Sequence, residues 1–140
     1  MSFTPAQCRA ARAMIGWSQD QLATASRVAK ATIANFEAGM REPYSRTLKD
    51  IWETLEAAGV EFTNGGQQGV RFRKTDFILE DIAAGGLRVR RVQDGHRYAF
   101  EIEDRRVSRQ GVPVGSAPPQ HQTAARAFAE TAARDLRFVD

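Results

Sequence analysis

Few side chains of this 140-residue chain could take part in catalysis or hold a metal. Cys8 is the single cysteine, and His96 and His121 are the two histidines, so we expect neither a disulfide nor a multi-cysteine zinc site. The sequence offers no nucleophile with a partnered base and no carboxylate pair in a recognisable setting. Gly65-Gly66 lacks the strand and helix that a phosphate-binding loop requires. We therefore expect no enzyme activity, no metal and no cofactor.

The remaining chemistry is that of charge, and the charge is unevenly distributed. Residues 1–74 carry 10 lysines and arginines against 7 acids, whereas residues 75–140 carry 10 against 10. The net charge of +3 therefore belongs to the N-terminal half. A basic excess in that half favours a surface that binds phosphates.

Helix-start signals recur along the N-terminal half. Thr4 and Ser18 each precede a glutamine by three residues, which is the pattern of a capping box, so helices are predicted from each. The apolar spacing predicts a third helix over about 30–38 and a fourth over about 46–58. Cys8 falls on the apolar face of the first helix, and we interpret it as a small buried side chain and not as a reactive thiol.

The segment QDQLATASRVAKATIANFEAG, residues 19–39, resembles the phage-repressor/Cro-like (XRE-type) helix-turn-helix family. Gly16-Trp17-Ser18 before it and Arg41-Glu42-Pro43 after it extend the resemblance, which covers about residues 5–74. The resemblance implies that the helix beginning near Lys30 enters the major groove of double-stranded DNA. Two positions depart from the family pattern: Arg27 replaces the usual glycine of the turn, and Ala29 replaces the usual Ser or Thr cap.

The resemblance also implies which side chains touch the bases. Lys30, Ala31 and Asn35 are expected to face them, with Thr32 near a base or the backbone. Lysine can donate to guanine, asparagine can pair bidentately with adenine, and alanine can meet a thymine methyl group.

Other side chains are expected on the DNA backbone. The resemblance assigns phosphate contacts to Ser18, Gln19 and Arg41, with Gln19 also within reach of a base at the edge of the half-site. Arg27 could reach a phosphate. Glu37 is expected to support the fold through hydrogen bonds and not to contact DNA.

A β-hairpin is predicted after the fourth helix. Residues 60–63 and 70–73 alternate apolar and polar around a turn at 64–69, and the hairpin needs cover from the fourth helix or across a dimer. Arg71, Arg73 and Lys74 are expected to be solvated, because their strand faces outward.

Residues 75–140 lie outside the resemblance. Strands are predicted over 87–92, 97–102 and 106–109, followed by a loop over 112–120 and a helix over 123–136 lined by four apolar residues, Ala124, Phe128, Ala132 and Leu136. The stretch 77–82 could be a short helix or extended. The arginines of the strands could form a second nucleic-acid surface, but cross-strand pairing with nearby acids is favoured. The arginines are Arg88, Arg90, Arg97, Arg105, Arg106 and Arg109, and the acids are Glu101, Glu103 and Asp104.

The predicted fold class is α+β in two domains. Residues 1–74 form a four-to-five-helix Cro/repressor-like bundle with a terminal hairpin, and residues 75–140 form a small three-stranded antiparallel sheet with a C-terminal helix. We expect a cytoplasmic, bacterial or phage transcriptional regulator with no membrane segment, a repressor that binds an inverted repeat as a homodimer. The alternative is an antitoxin-type or other protein-interaction regulator whose residues 75–140 bind a partner protein. The role of residues 75–140 is left open between dimerisation, sensing and partner binding.

Overall fold

The computed structural model describes residues 3–63, 67–109, 111–115 and 117–140, and the chain divides into two units, residues 1–73 and 74–140. Residues 64–66 of the predicted turn over 64–69 lie outside the described residues. Among the described residues, no helix is both long enough and apolar enough to cross a membrane.

Four helices form the first unit within its described residues: α1 (Pro5–Ile15), α2 (Gln19–Ser26), α3 (Lys30–Glu37) and α4 (Ser45–Ala58). Both predicted capping boxes are confirmed. The hydroxyls of Thr4 and Ser18 accept the N–H groups of Gln7 and Gln21, and each glutamine side chain accepts the backbone N–H of its cap residue.

The helices share a core of fully buried aliphatic side chains. Leu22 of α2, Ile33 of α3, and Ile51 and Leu55 of α4 are each 0% exposed, as is Cys8 of α1. The interpretation of Cys8 as a small buried side chain is confirmed. Burial of this apolar surface fixes α3 against α2 and α1.

The predicted hairpin is formed by β1 (Val60–Thr63) and β2 (Gly69–Phe72), with Val60 opposite Phe72. It is covered from within its own unit. Phe62 packs edge-on against the rings of Phe3 and Trp52, with centroids 5.0 and 5.7 Å apart, and Gln7 Nε2 donates to Gly69 O at 3.1 Å. The hairpin therefore packs on α4, which is one of the two arrangements expected, and it also contacts α1.

The second unit is an antiparallel sheet with one long helix. Its strands are β3 (Phe77–Ala83), β4 (Gly86–Arg91), β5 (Arg97–Glu103), β6 (Arg106–Val107) and β7 (Val112–Val114). They are ordered β3-β4-β5, with β6 and β7 pairing opposite ends of β5. A 3₁₀ turn (Pro119–His121) leads into α5 (Gln122–Asp135), which packs on the sheet.

The α+β class and the three predicted strands are confirmed, but the sheet is larger than predicted. The open stretch 77–82 is a strand, because Phe77, Leu79 and Ile82 pair with β4 on the buried face. The predicted loop over 112–120 is wrong at its start, where residues 112–114 form the edge strand β7. An edge strand tolerates Pro113, because proline lacks only the N–H that an inner strand would have to donate.

The buried face at α5 matches the prediction at Ala132 and Leu136 but not at Ala124. Ala125, Ala129, Ala132 and Ala133 face the sheet, whereas Ala124 is exposed. Two adjacent alanines fit the helical period equally well, so the pattern alone did not choose between them. Phe128 is half-buried and packs against Phe77, with ring centroids 6.1 Å apart.

Candidate nucleic-acid interface

The turn between α2 and α3 is left-handed although an arginine occupies it. Arg27 adopts the left-handed conformation, at φ 60° and ψ 27°, which costs a non-glycine residue about 1 kcal/mol. The hydroxyl of Ser26 joins the two sides of this turn: it donates to Leu22 O at 2.6 Å and accepts from Val28 N at 3.3 Å. These bonds hold the chain through the corner that a glycine would turn without strain.

The N-terminus of α3 has no side-chain cap. Ala29 stands at the cap position with φ −59° and ψ 137°, and its carbonyl accepts the N–H groups of Thr32 and Ile33 at 3.0 and 3.2 Å. Ala29 supplies no side-chain hydrogen bond to the first turn. The N–H groups and the positive end of the helix dipole therefore point outward, where they favour an anion.

The two faces of α3 differ sharply in exposure. Ile33, Phe36 and Glu37 are buried at 0, 2 and 3%. Ala31 and Asn35 are exposed, and Thr32 is half-buried on the same side. The side chains expected at the bases thus lie on the face of the helix away from the core.

That face borders a surface groove of about 630 Å³, formed by the α2–α3 turn, α3, and the segment leading into α4. Five of the predicted site residues line it: Arg27, Ala31, Thr32, Asn35 and Arg41. The structure therefore brings most of the predicted interface together on one continuous surface.

Three predicted site residues lie outside the groove lining. Ser18 is exposed, and its hydroxyl caps α2. Lys30 Nζ lies 3.3 Å from Asp20 Oδ2, with side chains 56 and 72% exposed. An ion pair that exposed contributes between 0 and about 1 kcal/mol, so Lys30 can leave it at little cost. Gln19 is half-buried and donates from Nε2 to Glu37 Oε1 at 3.1 Å.

Glu37 is the centre of a buried polar network, which confirms its structural role. Arg12 approaches both carboxylate oxygens, with Nη2 2.6 Å from Oε1 and Nε 2.7 Å from Oε2. The thiol of Cys8 donates to Oε2 at 3.1 Å, and Arg9 donates to the Glu37 carbonyl. Burial alone would raise the pKa of Glu37, but the hydrogen bonds from Arg12, Gln19 and Cys8 and the charge of Arg12 outweigh it, and the pKa lies below its usual range.

Burial and the hydrogen bond to Glu37 act in the opposite direction on the thiol. They raise the pKa of Cys8, so the side chain stays protonated and donates to the carboxylate. The ion pair between Arg12 and Glu37 fixes α1 to the end of α3. The Glu37 carboxylate also holds the side chain of Gln19 on α2.

Several residues of this region were missed by the sequence analysis. Arg12 was not identified as the partner of Glu37, which lies 25 residues further along the chain. Met40 and Tyr44 are 78 and 83% exposed in the segment that follows α3, and Tyr44 lines the groove. Large exposed apolar side chains beside a polar groove are typical of contact surfaces.

The hairpin residues Arg71, Arg73 and Lys74 are exposed, as expected, whereas the arginines of the second unit that pair do so with acids other than those predicted. In the hairpin, Arg71 pairs with Glu61 and is 67% exposed, and exposed Arg73 donates to Glu56 O at 3.0 Å.

In the second unit the predicted partners Glu101, Glu103 and Asp104 are wrong. Arg97 and Arg88 share Glu80, at 2.5 and 3.8 Å, and Arg105 pairs with Asp140 at 2.8 Å. A bulge between Leu79 and Asp81 shifts the register there, where Glu80 lies.

Comparison with known proteins agrees with this geometry. Residues 9–57 match the family model described as helix-turn-helix, and the match spans α2, the Arg27 turn and α3. The search of curated proteins finds no match to the chain. Residues 9–57 thus form a helix-turn-helix region similar to the phage-repressor/Cro-like (XRE) type, a family of DNA-binding domains of transcription regulators.

Proposed function

We propose that this protein is a repressor that binds an inverted-repeat operator as a homodimer. The observation that carries the proposal is the exposed face of α3, where Ala31, Thr32 and Asn35 line one groove with Arg27 and Arg41. Hydrogen-bonding and methyl groups of α3 line this groove together with two guanidinium groups, and the acids Glu42 and Asp50 line it as well. That arrangement suits a helix in the major groove between two phosphate strands.

Each central side chain has a matching base edge. The Asn35 amide can donate to and accept from adenine at once, and the methyl groups of Ala31 and Thr32 can pack on thymine. Lys30, once released from Asp20, can donate to the guanine acceptors O6 and N7. A bidentate contact contributes about 1–3 kcal/mol of discrimination against the wrong base.

Phosphate contacts are proposed for the flanking groups. Arg27 and Arg41 supply charge, and Ser18 and the open first turn of α3 supply hydrogen-bond donors. The amide nitrogen of Gln19 carries two hydrogens, and Glu37 accepts one of them. The second hydrogen can therefore reach a phosphate while Glu37 holds the side chain in place.

One copy of α3 spans only a few base pairs, so a second copy is needed for useful specificity in a genome. Two-fold symmetry of the protein would match an inverted repeat in the DNA. Residues 74–140, which fold as a separate unit, are proposed to serve dimerisation, sensing or partner binding.

The function is tested by selecting bound fragments from a genomic DNA library at two salt concentrations. We expect one inverted repeat to be enriched, with affinity falling steeply as salt rises. Uniform enrichment of all sequences would contradict the proposal. Arg71→Ala is the control, because its exposed side chain lies on the hairpin, outside the groove. Co-purification of a stoichiometric second protein would instead support the antitoxin-type regulator.

A further inference from the structure

A second groove, of about 450 Å³, lies in the second unit between the β5–β6 hairpin, the segment after β6, and α5. Four arginines line it, Arg105, Arg106, Arg109 and Arg126, against two acids, Glu130 and Asp140. The lining therefore carries an excess of two positive charges. We name it the Arg106 groove.

Both acids of this groove are already engaged. Arg105 Nε lies 2.8 Å from Asp140 Oδ1, and Arg126 Nη1 lies 3.3 Å from Glu130 Oε2. Arg126 also donates from Nε to Ser108 O at 3.0 Å, which fixes its guanidinium. Two of the four arginines are thus held in place by the protein itself.

Arg106 and Arg109 form no ion pair with any residue in the described part of the chain. Glu103 lies directly opposite Arg106 in the hairpin register, a position that normally favours pairing. The two side chains nevertheless do not pair, and both arginines line the groove. Their charges are therefore available to an outside partner.

The hairpin beside the groove is also strained. Asp104 and Arg105 both have positive φ, 50° and 57°, in a two-residue turn where asparagine and glycine are preferred. A left-handed arginine costs about 1 kcal/mol. Its side chain reaches Asp140 from this position, so the strained turn contributes directly to the groove wall.

We propose that the Arg106 groove binds a phosphate group, with Arg106 and Arg109 as its hydrogen-bond donors. Two guanidinium groups match the several oxygens and double charge of a phosphate, which arginine can bind in bidentate fashion. The phosphate could come from a free phosphorylated small molecule or from a DNA backbone.

The first arm of the test titrates inorganic pyrophosphate into the full chain and follows the arginine Nε resonances by NMR. We expect the Nε–H signals of Arg106 and Arg109 to shift in the native protein. The double variant Arg106→Gln/Arg109→Gln should bind pyrophosphate about tenfold more weakly or worse. Arg88→Gln/Arg90→Gln removes the same charge from a different part of the sheet and should leave the affinity unchanged.

The second arm measures the affinity of the same proteins for a random-sequence duplex at several salt concentrations. If the source is the DNA backbone, Arg106→Gln/Arg109→Gln should lower the salt slope by about two, since each phosphate contact contributes about 0.9. An unchanged slope together with pyrophosphate binding assigns the site to a small molecule. Equal weakening in both double variants, or no response to either ligand, would overturn the proposal.

Discussion

The carboxylate of Glu37, at the end of α3, lies 2.6 Å from the guanidinium of Arg12 in α1, and the glutamate is only 3% exposed. This ion pair ties α3 to the rest of its unit. The same carboxylate accepts hydrogen bonds from Gln19 and Cys8. A single buried charge thus organises residues from three helices.

Removing one partner of this pair should destabilise the first unit strongly. Arg12→Met leaves Glu37 buried and uncompensated, so we expect a loss of about 3 kcal/mol in the free energy of unfolding. Arg12→Met/Glu37→Leu should recover much of that loss. Urea denaturation followed by tryptophan fluorescence measures it, because both tryptophans, Trp17 and Trp52, belong to this unit. If the single variant unfolds at the same urea concentration as the native protein, the pair has no such role.

The network also predicts a pH dependence. The pKa of Glu37 is lower in the folded protein than in the unfolded chain. The contribution of the Glu37 carboxylate to the free energy of unfolding is therefore fully present above its pKa in the unfolded chain, about 4.3. It is lost as the pH falls through its pKa in the folded protein. The difference in unfolding free energy between the native protein and Glu37→Gln should be largest at neutral pH and shrink in acid. A difference that stays constant down to about pH 3 would contradict this assignment.

In the N-terminal unit, features encoded by neighbouring residues could be predicted from the sequence, and contacts between distant residues could not. The capping boxes at Thr4 and Ser18 lie within four consecutive residues each, so the sequence alone located both helix starts. The partner of Glu37 is 25 residues away in the chain, and no local pattern joins the two.

The same distinction explains the errors in the second unit. The alternation in β4 and β5 was visible, but Glu80 became the partner of Arg88 and Arg97 because of a bulge in β3, which has no clear sequence signature. The edge strand at Pro113 was missed for a related reason. Its pairing depends on the neighbouring β5 and not on its own propensity.

The suboptimal turn and cap of the recognition motif predict two stabilising substitutions. Arg27→Gly relieves a left-handed arginine, and Ala29→Ser supplies the missing cap of α3, so each should raise the unfolding free energy by about 1 kcal/mol. Arg27→Gly should also weaken DNA binding through the loss of a phosphate contact, whereas Ala29→Ser should not. The matched control, Ser18→Ala, removes an existing cap and should cost about 1 kcal/mol. Equal DNA affinity of Arg27→Gly and the native protein would exclude the phosphate role of Arg27.

Close packing in the second unit predicts an effect confined to that unit. A Cβ atom at Gly111 would lie 2.4 Å from the ring of Phe100, so Gly111→Ala should destabilise the sheet by about 1–3 kcal/mol. Gly85→Ala is the control, because a Cβ there meets nothing within 4 Å. Hydrogen exchange of the β4 and β5 amides should accelerate in the first variant alone, with tryptophan fluorescence unchanged. Acceleration of similar size in the control would show that the ring contact is not the cause.

The role of α3 in recognising bases is tested most directly by the base-preference profile of Asn35→Ala, measured by selection from a randomised DNA library. Asn35 is exposed on α3 and lines the same groove as Arg41. We predict that Asn35→Ala loses preference at one position of each half-site and keeps it elsewhere, whereas Arg41→Ala lowers affinity for all sequences alike. A profile for Asn35→Ala identical to that of the native protein would contradict the assignment of α3 as the recognition helix.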